Sequence, residues 1–238
     1  MNYPHKFWEK YFKYYDCLLQ LIPYQLLLEK MATLIKQDHD LKLLDLGAGT
    51  GNIQYFLKGQ IEVTSFDNSK EALDRLQLKF PNQETMQGSI HEPLPFKDQS
   101  FDAIFSNNVL YTLPKEVLPK VVKEMRRVLK PGGRVIVSNL TEGFSPLKIY
   151  NTHIKMHRKE HGFISTLVHL LKLSWPTIRI FQLNRVIKNN GTTGDYHFFG
   201  KEEQRQIFSK SGFKNLIPTQ RVYANQAALN VFEFNILR

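Results

Sequence analysis

The sequence predicts an α/β protein built on a doubly wound, mostly parallel sheet with helices on both faces, and three observations carry that prediction. Short apolar runs alternate with helical patterns along most of the chain. One such run opens directly into the glycine-spaced turn "LLDLGAGTGN" (Leu43 to Asn52), and the next ends on an acidic residue, Asp67. Strands alternating with helices imply right-handed crossovers and a sheet covered on both sides.

Each element has its own signal. "LKLLDL" (Leu41 to Leu46), "IEVTSFD" (Ile61 to Asp67), "FDAIFSN" (Phe101 to Asn107) and "GRVIVSNL" (Gly133 to Leu140) are short, apolar and partly β-branched, as buried strands are. "SKEALDRLQLKF" opens on Ser69, a good N-cap, and "EVLPKVVKEMRRVLK" ends in cations followed by Pro131, Gly132 and Gly133, so helices are predicted over both. "FKNLIPTQRVYA" and "AALNVFEFNIL" read as two strands joined by a turn around Asn225.

With 238 residues, 42% of them apolar and 23% charged, the chain suits one domain with an appendage. The single cysteine, Cys17, excludes an internal disulfide and a multi-thiolate metal site, and it suits a reducing compartment. The start, "MNYPHKFWEKYFKYYD", lacks the apolar core of a signal peptide, and "FISTLVHLL" (Phe163 to Leu171) is too short to span a bilayer. A soluble cytoplasmic protein is therefore expected. The net charge of +10 is unevenly spread. Between Phe144 and Asn190 lie Lys148, Lys155, Arg158, Lys159, Lys172, Arg179, Arg185 and Lys188 against Glu160 alone. Mixed with His153, His157, His161, His169, Trp175 and many Leu and Ile, they suit basic amphipathic helices.

The glycine ladder points away from a dinucleotide. A G-x-G-x-x-G turn counted from Gly47 would put its third glycine at position 52, where the chain has Asn52; the third glycine is Gly51. The series "LLDLGAGTGN", "TSFDNS", "GSIHEPLPFKDQSFDAIFSNNVLYTL" and "VVKEMRRVLKPGGRVIVSN" resembles the class I S-adenosylmethionine-dependent methyltransferases, in their order, from about Leu41 to Leu140. The resemblance resumes at "HFFGKEEQRQIFSKSGFKNL". It implies a Rossmann-like, mostly parallel seven-stranded sheet with a helical cap insertion: an N-terminal helical lid over 1–40, a core over 41–143 and 191–238, and the cap over 144–190, which has no counterpart in the family pattern. It also implies S-adenosyl-L-methionine as cofactor.

The same resemblance assigns roles. Asp45 suits the cofactor's ammonium, Gly47, Ala48, Gly49 and Gly51 let it approach the backbone, and Asp67 with Asn68 beside it suits the ribose hydroxyls. The family usually writes Gly-Asp after the third strand; here Gly88 is followed by Ser89, a neutral group for the adenine amine, with Ile90 packing on the ring. Asn107 and, from the lid, Tyr15 complete the set. The competing reading is that Asp45 merely ends a strand and Asp67 caps the helix after Ser69.

Asn107, Asn108 and Val109 lack the two prolines used to methylate base amino groups, Cys17 lies on the wrong side of the glycine loop for cytosine C5 chemistry, and one thiol is too few for arsenic. Nucleic acid is therefore not expected. "NNVLYTL" instead resembles the small-molecule branch of the family. Methyl transfer by in-line displacement needs mainly alignment, plus a base where the nucleophile carries a proton. Tyr111, His153, His157 and His197 are the candidates, against the alternatives of solvated histidines and a packing tyrosine. The cap, lying over the carboxyl edge of the sheet, is expected to select a lipid-like, hydrophobic or acidic acceptor and to offer a basic face for peripheral membrane contact. A cofactor-binding protein without transferase activity and a nucleotide-dependent oxidoreductase are the other function classes the pattern admits, and no metal site is predicted.

Overall fold

The computed structural model describes residues 4–35, 41–57, 61–193, 196–200 and 202–234. The predicted lid boundary at residue 40 lies outside them. The chain opens with α1 (Pro4–Tyr15), a 3-10 turn (Asp16–Gln20) and α2 (Ile22–Thr33). The core follows as β1 (Leu41–Leu46), a 3-10 turn (Asn52–Phe56), β2 (Ile61–Asp67), α3 (Lys70–Lys79), β3 (Glu84–Gln87), β4 (Phe101–Asn107), a 3-10 turn (Leu110–Thr112), α4 (Leu118–Val128) and β5 (Leu129–Leu140). The long helical insertion α5 (Pro146–Thr193) separates it from α6 (Glu203–Lys210), β6 (Phe213–Asn215), β7 (Gln220–Val222) and β8 (Ala227–Phe234).

The strands form one sheet in the order β3-β2-β1-β4-β5-β8-β6, with β7 also paired to β8. Neighbours from β3 to β5 run parallel and only β8 is antiparallel to its partners. The central strands are buried almost throughout, β1 and β4 especially, as strands covered on both faces must be. α4 turns Leu118, Val121, Val122, Met125 and Val128 inward at helical spacing. The predicted cap of α3 is formed: Ser69 Oγ accepts from the Ala72 amide at 3.2 Å.

Two boundaries differ from expectation. α4 stops at Val128, two residues before Lys130, because Leu129 already pairs with Phe101 ahead of a register shift in the β4–β5 ladder. The strand predicted over "FKNLIPTQRVYA" is split into β6 and β7, which pair in turn with the two halves of β8, so the sheet counts eight strands rather than seven. Pro218 lies in the gap and has no amide to give to the ladder. The turn before β8 holds Tyr223, Ala224 and Asn225 in succession at φ 53, 55 and 62.

α5 is a hairpin of two helical arms that reverse at Gly162 (φ 80, ψ 175). His153 on one arm meets His169 on the other, Nε2 to Nε2, at 3.2 Å, and His157 Nδ1 lies 2.9 Å from Thr166 Oγ1. The seam between the arms is therefore built from histidine rings, His157 stacking on His169 with centroids 4.4 Å apart. The hairpin seats on the rest of the chain through Ile149, Ile180 and Ile187, all buried. No helix among the described residues is long and apolar enough to cross a membrane.

Candidate active site at the carboxyl edge of the sheet

A cavity of about 440 Å³ opens where β1, β2 and β4 end. Its polar side is made by Gly47, Gly49, Asp67, Asn68, Gly88, Ile90, Asn107 and Asn108. Its other side is aromatic: Trp8, Tyr11, Phe12 and Tyr15 from α1, Tyr24 from α2, Tyr111, Phe144, Tyr196 and Tyr223. The volume lies in the range of pockets that enclose a small ligand.

The glycine loop is pinned from below. The Gly47 and Ala48 amides donate to the Phe66 carbonyl at 2.8 and 3.1 Å, and Asp67 Oδ2 accepts from the Gly49 amide at 2.8 Å. Asp67 Oδ1 takes the Ser69 amide at 2.9 Å, so one carboxylate ties the loop after β1 to the helix after β2. Asp67 organises the start of α3 and also faces the cavity. Gly47 and Gly49 line the cavity, but a Cβ at Gly47 would stand 2.2 Å from a Val109 methyl and one at Gly49 would stand 3.0 Å from the Phe12 ring. Gly51, at φ 75, faces Leu76 of α3 instead, where a Cβ would come within 2.7 Å. Its role is close helix–loop packing, and it does not line the cavity; nor does Ala48.

A clasp that the sequence did not announce closes the lid over this loop. Asp16, directly after α1, accepts from Thr50 Oγ1 at 2.5 Å and from Lys79 Nζ at 3.1 Å, while Lys79 also reaches Asn52 Oδ1 at 3.1 Å. The clasp holds α1 so that Tyr15 and Tyr11 face inward. Tyr15 and Tyr24 share a hydroxyl–hydroxyl bond of 2.8 Å, and Tyr11 donates to Asn184 Oδ1 on the cap at 3.1 Å. α1 and α5 thus meet at the cavity through the Tyr11–Asn184 bond between buried side chains. Trp8, Phe12, Asn184, Tyr196 and Tyr223 are further lining residues that sequence reasoning passed over. The aromatic run "FWEKYFKYY" was the available signal for the first two, since Trp8, Tyr11, Phe12 and Tyr15 recur at helical spacing.

Of the four candidates for a base, only Tyr111 reaches the cavity. It is fixed by its amide to Asn139 Oδ1 (3.1 Å) and by the His197 amide donating to its carbonyl (2.7 Å), with its ring stacked on Phe198. Burial pushes its phenol well above the ordinary value, and the same holds for Tyr11, Tyr15, Tyr24 and Tyr223. Burial thus favours the protonated form of each phenol. His153 and His157 are neither solvated nor at the cavity; they are buried in the hairpin seam, where His153 Nδ1 accepts from the Ile22 amide at 3.3 Å. His197 also lies outside the lining, its Nε2 3.0 Å from Glu203 Oε2. Ser89 likewise does not line the cavity, because its hydroxyl turns to the His91 amide at 3.2 Å, leaving Gly88, Ile90 and His91 on that wall.

The most telling group is Asp45. It is buried at the end of β1, its Oδ2 has no hydrogen-bond partner, and burial, with the Asp67 charge nearby, pushes its carboxyl up to about 8. Asn107 Oδ1 and Asn108 Oδ1 are also buried without partners. Unsatisfied buried acceptors of this kind are costly unless a donor arrives.

Residues 44–137 match a family profile described as a methyltransferase domain. Over 116 residues the chain is 37% identical to malonyl-[acyl-carrier protein] O-methyltransferase of Erwinia pyrifoliae, covering 48% of this chain and 43% of the relative. Over 134 residues it is 33% identical to demethylmenaquinone methyltransferase of Thermotoga maritima, covering 53% and 57%. The match therefore spans about half the length of these curated relatives. Among solved structures, the CurJ carbon methyltransferase superposes with a TM-score of 0.62 at 17% identity, over 92% of this chain and 57% of that one. Over residues 44–137 the chain thus resembles the class I S-adenosylmethionine-dependent methyltransferases, and it shares the fold of the solved structure.

Members of this family use S-adenosylmethionine as methyl donor, and the residues here fit that molecule. Its ammonium calls for acceptors, and Asp45, Asn107 and Asn108 carry buried oxygens without hydrogen-bond partners, Asn107 and Asn108 on the cavity wall and Asp45 outside the lining; the Asp67 carboxylate, on the wall as well, is of the acceptor type that ribose hydroxyls need. Gly47, Gly49 and Ile90 supply the wall against which it lies. Among the described residues no group of His, Cys, Asp or Glu is arranged to hold a metal ion.

Proposed function

We propose that the chain transfers the methyl group of S-adenosylmethionine to a small, uncharged, apolar acceptor held between α1 and the cap. The observation that carries this reading is the make-up of one continuous cavity. Its polar half suits the donor, and among the described residues its aromatic half contains no charged side chain. S-adenosylmethionine supplies a methyl group already activated on a sulfonium. What remains for the protein is alignment and exclusion of water, which the lid, the cap and the aromatic wall provide. Tyr111, held protonated, orients an acceptor oxygen by donating to it, since Tyr11 gives its proton to Asn184 and the Tyr15 hydroxyl is bonded to Tyr24, and the acceptor brings its own nucleophile.

The apolar reading stands ahead of the acidic one because no Lys or Arg lines the cavity among the described residues. The Thermotoga maritima relative is named for demethylmenaquinone, an acceptor of the apolar kind. A membrane is where such acceptors dissolve, so a cytoplasmic enzyme with peripheral membrane contact through the cap belongs to the same reading. Incubation with methyl-labelled S-adenosylmethionine and a panel of apolar and acidic acceptors tests it. Label is expected in an apolar product. Tight binding of S-adenosylhomocysteine without transfer to any acceptor overturns it in favour of a binding protein, and preference for NAD overturns the family's cofactor here.

A further inference from the structure

We infer that the outer face of the cap hairpin docks on a lipid surface bearing anionic headgroups. The second arm of α5 exposes Phe163, Ile164, Leu167, Val168, Leu171, Trp175 and Ile178, seven of the eleven large apolar side chains found exposed among the described residues. At 100° per residue these seven fall within an arc of roughly 140° on one side of the helix, a stripe roughly 22 Å long at 1.5 Å per residue. Ile164 is 78% exposed and Leu171 66%, values that a side chain of this kind rarely shows in a contiguous row. The opposite side of the same arm is already spent on the fold, with Thr166, His169 and Ile180 turned toward the first arm and the core. The stripe is therefore not needed for packing within the chain.

Charge complementarity selects the occupant. Lys155, Arg158, Lys159, Lys172, Arg179 and Arg185 are all exposed on the hairpin. Among the described residues none of them forms an ion pair with a carboxylate, and Glu160 is the hairpin's one acid. Arg158 lies over the Phe163 ring and Arg179 over the Trp175 ring, so cation and aromatic are paired at both ends of the stripe. An apolar face edged by cations, with a tryptophan at the margin, is the pattern of a helix lying in the plane of a membrane interface. A protein partner or a second copy would need carboxylates opposite these cations.

The inference rests on the apolar-acceptor reading only in its purpose. The same arm carries Asn184, which lines the cavity and bonds Tyr11, so docking would set the acceptor side of the enzyme against the membrane. The full-length chain is sedimented with neutral phosphatidylcholine vesicles and with vesicles containing anionic phosphatidylglycerol, at low and high salt. Binding is expected on anionic vesicles at low salt, falling about ten-fold or more as salt screens the cations. The double variant Leu167→Glu/Leu171→Glu should lose that binding while retaining affinity for S-adenosylhomocysteine, which shows that it folds. In a Trp8→Phe background, Trp175 emission should shift to the blue on vesicle addition. Absence of binding to anionic vesicles at low salt overturns the inference, as does binding to neutral vesicles that is indifferent to salt. A dimer in light scattering that the double variant dissolves also overturns it, by assigning the stripe to a second copy. None of these readouts uses methyl transfer, so failure of the proposed reaction leaves them unaffected.

Discussion

Asp45 and Asp67 sit at the ends of neighbouring strands and do different work. Asp67 is committed to the backbone of the loop and of α3, so its removal touches structure as well as ligand. Replacing it by Asn keeps one acceptor oxygen and the shape; calorimetry with S-adenosylhomocysteine should show an affinity loss of about 1.5–3 kcal/mol, the range for a hydrogen bond to a charged group. Unchanged affinity would remove Asp67 from the ligand's contacts. Asp45 carries the opposite signature. Its carboxyl, raised to about 8, is largely protonated near neutrality, and a cation delivered beside it drives the proton off. Titrations of a cationic ligand at pH 7 in buffers of different ionisation enthalpy should therefore report proton release, which Asp45→Asn abolishes. Equal heats in all buffers would mean that the ammonium is held elsewhere.

At the scale of elements, the lid depends on the clasp at Asp16 and the acceptor wall depends on the cap. Asp16→Ala leaves Thr50 and Lys79 only Asn52 as acceptor and cuts their tie to the end of α1, so hydrogen exchange in α1 should rise while β1 to β5 keep their protection. Replacing residues 144–190 with a short Gly-Ser linker should leave cofactor binding within a few-fold and abolish methyl transfer; transfer surviving that change would strip the cap of its role. Four of the five parallel strands were legible because each contains a short apolar run and Ser69 marks the start of α3; β3, polar and only half-buried, carries no such signal, and Pro131 falls inside β5 rather than at the end of α4. The split of β6 from β7 was less legible: Pro218 marks it, but the run on either side reads as continuous strand. Within the site, glycine and acid spacing located Gly47, Gly49 and Asp67 at the cavity. It misplaced Gly51, whose constraint is Leu76, twenty-five residues further on, and Ser89, whose hydroxyl is drawn to a local amide. The histidines at 153 and 157 read as a solvated face because the reversal at Gly162 that buries them depends on two arms meeting in space.

Across the whole molecule, two buried groups pull stability in opposite directions with pH. Asp45 has a folded pKa above its unfolded one, so its contribution is fully present below about 4 and is lost as pH rises toward 8. His153 has a folded pKa lowered to about 4 by burial, then by His169 and His157, so its contribution is present above about 6.5 and is lost as pH falls toward 4. His169 is lowered as well, by burial and then by His157, His161 and Lys172, which strengthens the acid-side loss. Thermal unfolding of the chain without ligand should give a maximum in Tm between these limits. Asp45→Asn should flatten the alkaline side and His153→Phe the acidic side. A Tm that rises steadily from pH 5 to pH 8 in the unmodified chain would contradict the Asp45 assignment. The reversal at Gly162 has a consequence of another kind. With φ 80 and ψ 175, this residue occupies a region that an L-amino acid enters only at a cost of about 1–3 kcal/mol, although nothing lies within 4 Å of where a Cβ would stand. The obstacle is handedness alone: reflected through a mirror, the same two angles fall in ordinary extended backbone. A semisynthetic chain with D-alanine at this position should keep the hairpin and melt at or above the natural temperature, whereas Gly162→Ala in the ordinary hand should loosen it.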